Sequence, residues 1–220
     1  MIDIIIPVLN EEKILIEQAP HYRHLKTKAN VIFVDGGSTD RTVQIAQDYG
    51  DVLTAPRGRA LQKNAGASTT RSKYILFLHV DSSIEDNALE AIEQALDRGV
   101  VGGCLTMHID DDRWLFRIYE KIINGRAKIF SVLDGDLGLF VERSIFEQVG
   151  SFDAVPIMED IKFSVKLRRA GPIQILPQTI HVSSRKWHAQ GFGKTFFLYT
   201  LAYLQLWTGW PFFKDERRAG

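Results

Sequence analysis

The sequence predicts an α/β protein built on one open, mostly parallel sheet with helices on both faces. Two observations carry that expectation. Strand-like runs rich in β-branched and aromatic residues recur at Ile2–Leu9, Asn30–Asp35, Asp51–Ala55 and Tyr74–His79, each short and almost continuously apolar, as in strands covered on both sides. Helix-length segments alternate with them: Thr42–Tyr49 ended by Gly50, Ala60–Thr70, and Asn87–Arg98 ended by Gly99. Each closing glycine is expected to supply a left-handed cap, and the alternation implies crossover connections and parallel pairing.

After Val100–Met107 the pattern loosens. Trp114–Ile129 reads as a helix, and the turn Gly135-Asp136-Leu137-Gly138 leads to a strand at Leu139–Val141 and a short helix ending near Gly150. Ile161–Ala170 is a further helix stopped by Gly171-Pro172, and two short strands follow near Ile173–Leu176 and Thr179–Val182. At 220 residues the chain suits a single domain. It divides into 1–107, 108–190, and an apolar tail over 191–220.

Charge excludes one class of partner. Lysine plus arginine and aspartate plus glutamate each total 27, so no field favours nucleic acid. The single cysteine, Cys104, has no partner for a disulfide within the chain and reads as a small buried strand residue. The N-terminus opens on Ile2-Asp3-Ile4-Ile5-Ile6-Pro7 without the features of an export signal, and a cytoplasmic location is expected.

Ligands of open parallel sheets bind beyond the carboxyl ends of the strands, and acidic residues stand at those ends. Asn10-Glu11 follows the first strand, Asp35 closes the second, and Asp81 follows the fourth. In Asp35-Gly36-Gly37-Ser38-Thr39-Asp40 the polar residues after the glycines can cap the next helix. Asp35, at the end of an apolar strand, is expected to need a donor such as a base or ribose. His79 and Asp81 share a strand side, so both can face one ligand. A divalent cation on a diphosphate needs only one or two protein carboxylates, which makes Asp81 its candidate; a turn or helix cap is the alternative use.

Glu159-Asp160 opens a helix, where carboxylates can simply satisfy free amides. Neighbours cannot share a helix face, so if one acts as general base the other caps or positions it; Asp160 is taken as the base. Neither a P-loop nor a Gly-x-Gly-x-x-Gly fingerprint is present. Phosphate charge would fall to Arg57, Arg59 and Lys63, or to Arg185 and Lys186 beside Trp187, unless these form a solvated basic face.

Taken in order, Ile5-Ile6-Pro7-Val8-Leu9-Asn10-Glu11, Val34-Asp35-Gly36-Gly37-Ser38-Thr39-Asp40, Lys63-Asn64-Ala65-Gly66, His79-Val80-Asp81 and Glu159-Asp160 resemble the motif series of family 2 glycosyltransferases. Within that family the chain is similar to a compact bacterial subgroup with His-x-Asp, Gly-Asp-Gln-Gly and Ser-x-Arg-Arg-Trp elements. It departs from that subgroup at Leu137 and Lys186. The resemblance implies a GT-A fold, a nucleoside-diphosphate sugar donor with UDP the expected nucleotide, a divalent cation (Mn²⁺ or Mg²⁺), and inversion at the anomeric carbon. It implies that Pro7, Asn10, Glu11, Asp35, Gly36, Arg59, Lys63, Asn64 and Arg185 hold the donor. Asp81 with His79 would hold the metal, and Asp160 helped by Glu159 would deprotonate the acceptor. Nucleotidyl transfer, or nucleotide-sugar binding without catalysis, are the competing readings.

The apolar run Phe196–Phe213 contains a helix expected from Thr195 to Thr208, about 21 Å long at roughly 1.5 Å per residue. That is too short to span a bilayer of roughly 30 Å. Trp207, Trp210, Phe212 and Phe213 followed by Lys214, Arg217 and Arg218 suit core packing, a twin subunit, or peripheral contact with the inner membrane face. A lipid-linked acceptor is among those expected.

Overall fold

The computed structural model describes residues 1–155, 157–191 and 201. The helix expected from Thr195, the contact surface expected over 196–213 and the side chain of Lys186 lie outside the described residues.

The chain runs through β1 (Ile2–Val8), α1 (Glu12–Glu17), α2 (Ala19–Lys26), β2 (Asn30–Asp35), α3 (Thr42–Ala46), β3 (Asp51–Thr54), α4 (Arg59–Thr69) and β4 (Tyr74–Phe77). It continues with β5 (Ser82–Ile84), α5 (Ala88–Asp97), β6 (Gly102–Ile109), α6 (Trp114–Phe130), β7 (Leu139–Glu142), α7 (Arg143–Gln148), α8 (Glu159–Ala170), β8 (Ile173–Val182) and α9 (Arg185–Gln190). A single 3₁₀ turn, Gly135–Leu137, precedes β7. The strands form one sheet in the order β3-β2-β1-β4-β7-β6-β8-β5. Its first four strands are parallel, β7 runs against both β4 and β6, and β8 returns parallel to β6.

The parallel half follows from composition. Ile4, Ile5, Ile6, Phe33, Val34, Ile75 and Leu76 are fully buried, because helices cover both faces and leave no side for polar alternation. Register then places the site. Val8 lies opposite Asp35, and Asp35 opposite Thr54, so β1, β2 and β3 end level. The order reverses at β1, with β2 on one side and β4 on the other, and crevices form beyond strand ends at such reversals.

Three expectations need correction. The stretch 173–182 is one ten-residue strand rather than two short ones. The break expected around Pro177 is a register irregularity against Cys104 and Thr106, where a residue lacking an N–H costs no ladder bond. Ser82–Ile84, read as turn or cap, is a short strand paired antiparallel to β8, with Ser82 opposite Val182. Gly50 is not a left-handed cap, unlike Gly99 with its φ of 91°. A Cβ at Gly50 would lie 2.2 Å from the Val31 carbonyl oxygen, so glycine there permits close approach of the chain to β2. Cys104 is buried in β6 as expected, and burial pushes its thiol pKa up.

Candidate active site

The loops after β1 and β2 are laced to each other. Asn10 takes a left-handed backbone, φ 54°. Its N–H donates to Ser38 Oγ at 2.9 Å, and its own Oδ1 accepts from Thr39 N–H at 2.8 Å. Glu11 N–H donates to Thr42 Oγ1 at 2.7 Å, and the Glu12 carboxylate accepts from the backbone and side chain of Arg41. Asp35 is buried and accepts from Gly37 N–H at 3.0 Å, from Ser38 N–H at 3.1 Å and from the Ser38 hydroxyl at 2.5 Å. Its own loop thus supplies Asp35 with three donors.

Beyond these loops opens a cavity of about 630 Å³, lined by Pro7, Glu11, Arg57, Arg59, Lys63, His79, Asp81, Asp136, Arg185 and Trp187 among others. Arg185 bridges two carboxylates of this lining. Nε donates to Asp81 Oδ2 at 2.9 Å, and Nη2 reaches Glu11 Oε2 at 3.0 Å. One guanidinium thus joins carboxylates from the loops after β1 and β4, using the forked geometry that distinguishes arginine from lysine. Burial raises the Glu11 pKa against the opposing pull of Arg185. Trp187 is buried against Phe116 and Tyr119, ring centroids 5.8 and 5.7 Å away. Its indole N–H has no partner among the described residues.

Around Lys63 and His79 of this lining the ionisable groups are tightly packed. Lys63 Nζ lies 2.9 Å from Glu159 Oε1, with both side chains 3% exposed. Burial works to raise the Glu159 pKa, but the charge and hydrogen bond of Lys63, a backbone hydrogen bond and the charge of Arg59 together hold that carboxyl below its usual value. Asp160 points the other way, accepting from Gly135 N–H at 2.5 Å and from Ile161 N–H at 2.8 Å. Burial, then the adjacent Glu159 charge, raise its pKa to about 7. Two neighbouring carboxyls are thereby pushed in opposite directions, as in sites that separate acid and base tasks. His79 Nε2 is 3.5 Å from Asp136 Oδ1. Burial lowers its pKa to about 4, with Arg59 and Lys63 adding to the shift, so the ring is neutral at pH 7.

Gly135 sits at the hub of this cluster. A Cβ there would lie 2.7 Å from Asp160 Oδ2, 3.2 Å from His79 Nε2 and 3.4 Å from Lys63 Nζ. Gly135→Ala must displace the Asp160 carboxylate. Turnover is expected to fall on the order of 10²-fold, the scale of an ångström-sized misplacement, with ligand affinity kept. Steady-state kinetics beside calorimetric titration of the ligand check this, and undiminished turnover would show that Asp160 need not hold its place.

Pro7, Glu11, Arg59, Lys63, His79, Asp81 and Arg185 share one cavity wall. Asn10, Asp35, Gly36, Asn64, Glu159 and Asp160 are not part of that lining. Asn10 and Asp35 build the loops that carry Glu11. Gly36 packs on Gln62, whose amide would be 3.1 Å from a Cβ at that position. Both ends of the Asn64 amide are taken by the Phe152 backbone, at 2.8 and 3.1 Å, which ties α4 to the segment before α8. Sequence reasoning passed over Gln62, whose Nε2 donates to Val8 O and Val34 O at 3.0 and 2.8 Å and so links the first two strand ends. It also passed over Asp136 and the hub role of Gly135, although the glycine-flanked turn containing them was visible.

A half-parallel open sheet with a charged cavity beside its strand-end loops defines an open α/β protein with its candidate site at the carboxyl ends of the strands. The model for glycosyl transferase family 2 matches residues 3–150, and the chain belongs to that family. No curated protein matches it. Among solved structures it is similar to S. aureus TarS 1–349, with a TM-score of 0.66 at 19% identity over 83% of this chain and 60% of that one. The same fragment in complex with UDP-GlcNAc gives 0.65 at 18%, over 83% and 58%. The fold is GT-A, and the chain spans 58–60% of those fragments.

Proposed function

We propose that the chain transfers a sugar from a UDP-sugar to an acceptor hydroxyl with inversion at the anomeric carbon. One observation carries this reading. The cavity that gathers Glu11, Asp81, Arg57, Arg59 and Arg185 is lined as well by Lys63 and His79, and a Cβ at Gly135, whose N–H bonds Asp160, would meet both. A diphosphate and a general base are thereby provided for within one site. UDP is assigned on the likeness to TarS, whose structures include complexes with UDP-GlcNAc and with UDP.

In this reading Pro7 and Glu11 take the nucleoside side, and Arg57, Arg59 and Arg185 take the phosphates. Asp160 accepts the acceptor's proton as the acceptor oxygen forms its bond to the anomeric carbon. The bond from that carbon to the diphosphate breaks on the opposite face, and its electron pair leaves with UDP. Glu159, neutralised by Lys63, positions Asp160 and raises its basicity.

The residues fit a divalent cation that arrives with the diphosphate. Asp81 and Asp136 line the cavity, and one or two carboxylates suffice for such an ion, whereas no group of three or more His, Cys, Asp or Glu among the described residues would hold a metal unaided. Asp81, with His79 or Asp136 beside it, would hold Mn²⁺ or Mg²⁺, and when bound the ion supplies positive charge against the leaving diphosphate. Asp81 must first give up Arg185, which frees that guanidinium for phosphate.

UDP and UDP-sugars with Mn²⁺ are expected to raise the melting temperature by roughly 5–10 °C at a hundredfold excess over Kd. Chelation or Asp81→Ala should lower UDP affinity about tenfold or more. A panel of nucleotide sugars in which none shifts the melting curve rejects the donor assignment. Unchanged affinity with chelator and in Asp81→Ala rejects the metal role.

No described helix is long and apolar enough to cross a membrane. We place the enzyme on the cytoplasmic side, where its buried free thiol needs no oxidising partner.

A further inference from the structure

Most large apolar side chains exposed among the described residues sit on one element. Trp114 is 67% exposed, Ile118 48%, Ile122 50%, Ile129 73% and Phe130 57%, all on α6. At 100° per residue Trp114, Ile118, Ile129 and Ile122 fall within one arc of roughly 80°, with Gly125 inside it. Phe116, Tyr119, Ile123 and Ala127 occupy the opposite, buried side. The helix is thus apolar on two faces, one of them facing solvent.

The charges on α6 are distributed unevenly. Its single acid, Glu120, is buried and accepts from Ile109 N–H while pairing with Arg117 at 3.0 Å. Arg117 also donates to the backbone oxygens of Ile109 and Asp111, and Arg126 pairs with Asp134. Lys121 and Lys128 remain exposed, seven residues apart along one edge of the apolar arc. At the C-terminal end Arg168 donates to Phe130 O at 2.7 Å and adds a third cation. No acid from Trp114 to Phe130 faces outward.

We propose that this outward face of α6 is a seat for an anionic lipid bilayer. An aromatic and aliphatic arc edged by lysines is the pattern of a helix lying in the plane of the interface, with apolar side chains below the headgroups and cations among them. With 17 residues and its lysines, α6 lies on the bilayer rather than through it. A second copy of the chain fits the face poorly in an antiparallel two-fold contact, which would bring the lysine edges of both helices together with no carboxylate on that face to neutralise them. The surface also bears on the site: α6 ends at Phe130, and the turn holding Asp160 begins at Gly135.

Flotation of the full chain with vesicles tests this without any turnover, so its failure is separate from failure of the transferase reading. The wild type is expected to float with phosphatidylcholine vesicles containing phosphatidylglycerol and to stay down with phosphatidylcholine alone. Ile118→Asp/Ile122→Asp should reduce the partition coefficient at least roughly tenfold. Lys121→Glu/Lys128→Glu should reduce it by a similar factor and remove the dependence on phosphatidylglycerol. Both variants should keep the wild-type melting temperature, since the altered side chains are exposed. Three results overturn the proposal: a wild type that never floats, variants that float as well as wild type, and a wild-type dimer in sedimentation that Ile118→Asp/Ile122→Asp dissociates. A fall of several degrees in the melting temperature of that variant also overturns it, by showing the face to be covered within the molecule.

Discussion

Asp160→Asn is expected to lower sugar transfer by on the order of 10²–10⁴-fold, the usual contribution of a positioned base, and to leave UDP affinity within about threefold. The amide keeps the shape of the carboxyl and one acceptor oxygen, enough for Gly135 N–H or Ile161 N–H but not both, and it cannot take a proton. With a pKa of about 7, wild-type Asp160 gains its basic form only as pH rises through neutrality. kcat/KM should therefore climb about tenfold per pH unit below 7 and level off above it. The raised pKa also has a sign for stability. The folded state holds this proton up to about pH 7 and the unfolded chain releases it near 4, so stability is lost as pH rises across that window. The asparagine variant should thus melt a few degrees higher than wild type at pH 8, with the gain shrinking toward pH 5. Because the Asp160 side chain is only part-buried, water screens the effect to ~1–2 kcal/mol. Equal turnover of variant and wild type, or a flat kcat/KM between pH 6 and 8, would remove Asp160 from the chemistry.

The parallel half of the sheet was legible because its signals are local. Ile4, Ile5 and Ile6 are buried on both faces, and a strand of that kind announces itself without knowledge of its neighbours. Asp35 shows the limit of reading burial without loop geometry. Its position at an apolar strand end was visible, and so was a turn-forming Asp-Gly-Gly-Ser sequence, in which a carboxylate bonds amides two and three residues on. The second reading accounts for the three donors it finds. The antiparallel half was less legible because its strands depend on partners far away in sequence. Ser82–Ile84 is a strand by virtue of β8, about a hundred residues later. The contacts that organise the cavity are as long or longer, 96 residues for Lys63 with Glu159 and 174 for Arg185 with Glu11. Residue type marked all four as candidates, yet no spacing rule could pair them.

That pairing changes what Lys63 should do when removed. A lysine reserved for phosphate could be lost at the expense of UDP affinity alone. Lys63 instead lies 2.9 Å from Glu159, both side chains 3% exposed, with the Phe152 ring centroid 5.0 Å from the ammonium. Lys63→Met leaves a buried carboxylate without its counter-charge, a defect that typically costs about 3–5 kcal/mol. For a domain of this size the melting temperature should fall by roughly 10 °C. The loss should also reach the base, since Lys63 acts to lower the Asp160 pKa and Glu159 acts to raise it. With the ammonium gone, the acid limb of kcat/KM should move to higher pH. Lys63→Met/Glu159→Met removes both charges and refills the space with apolar volume, and such replacements of buried pairs are often neutral or stabilising. It should recover most of the melting temperature and return the limb toward its original position, because the opposing influences on Asp160 leave together. Melting curves and pH–rate profiles of the wild type, both single variants and the double variant close the cycle. Coupling below about 0.5 kcal/mol, with UDP affinity reduced tenfold in Lys63→Met, would assign Lys63 to the donor phosphates instead.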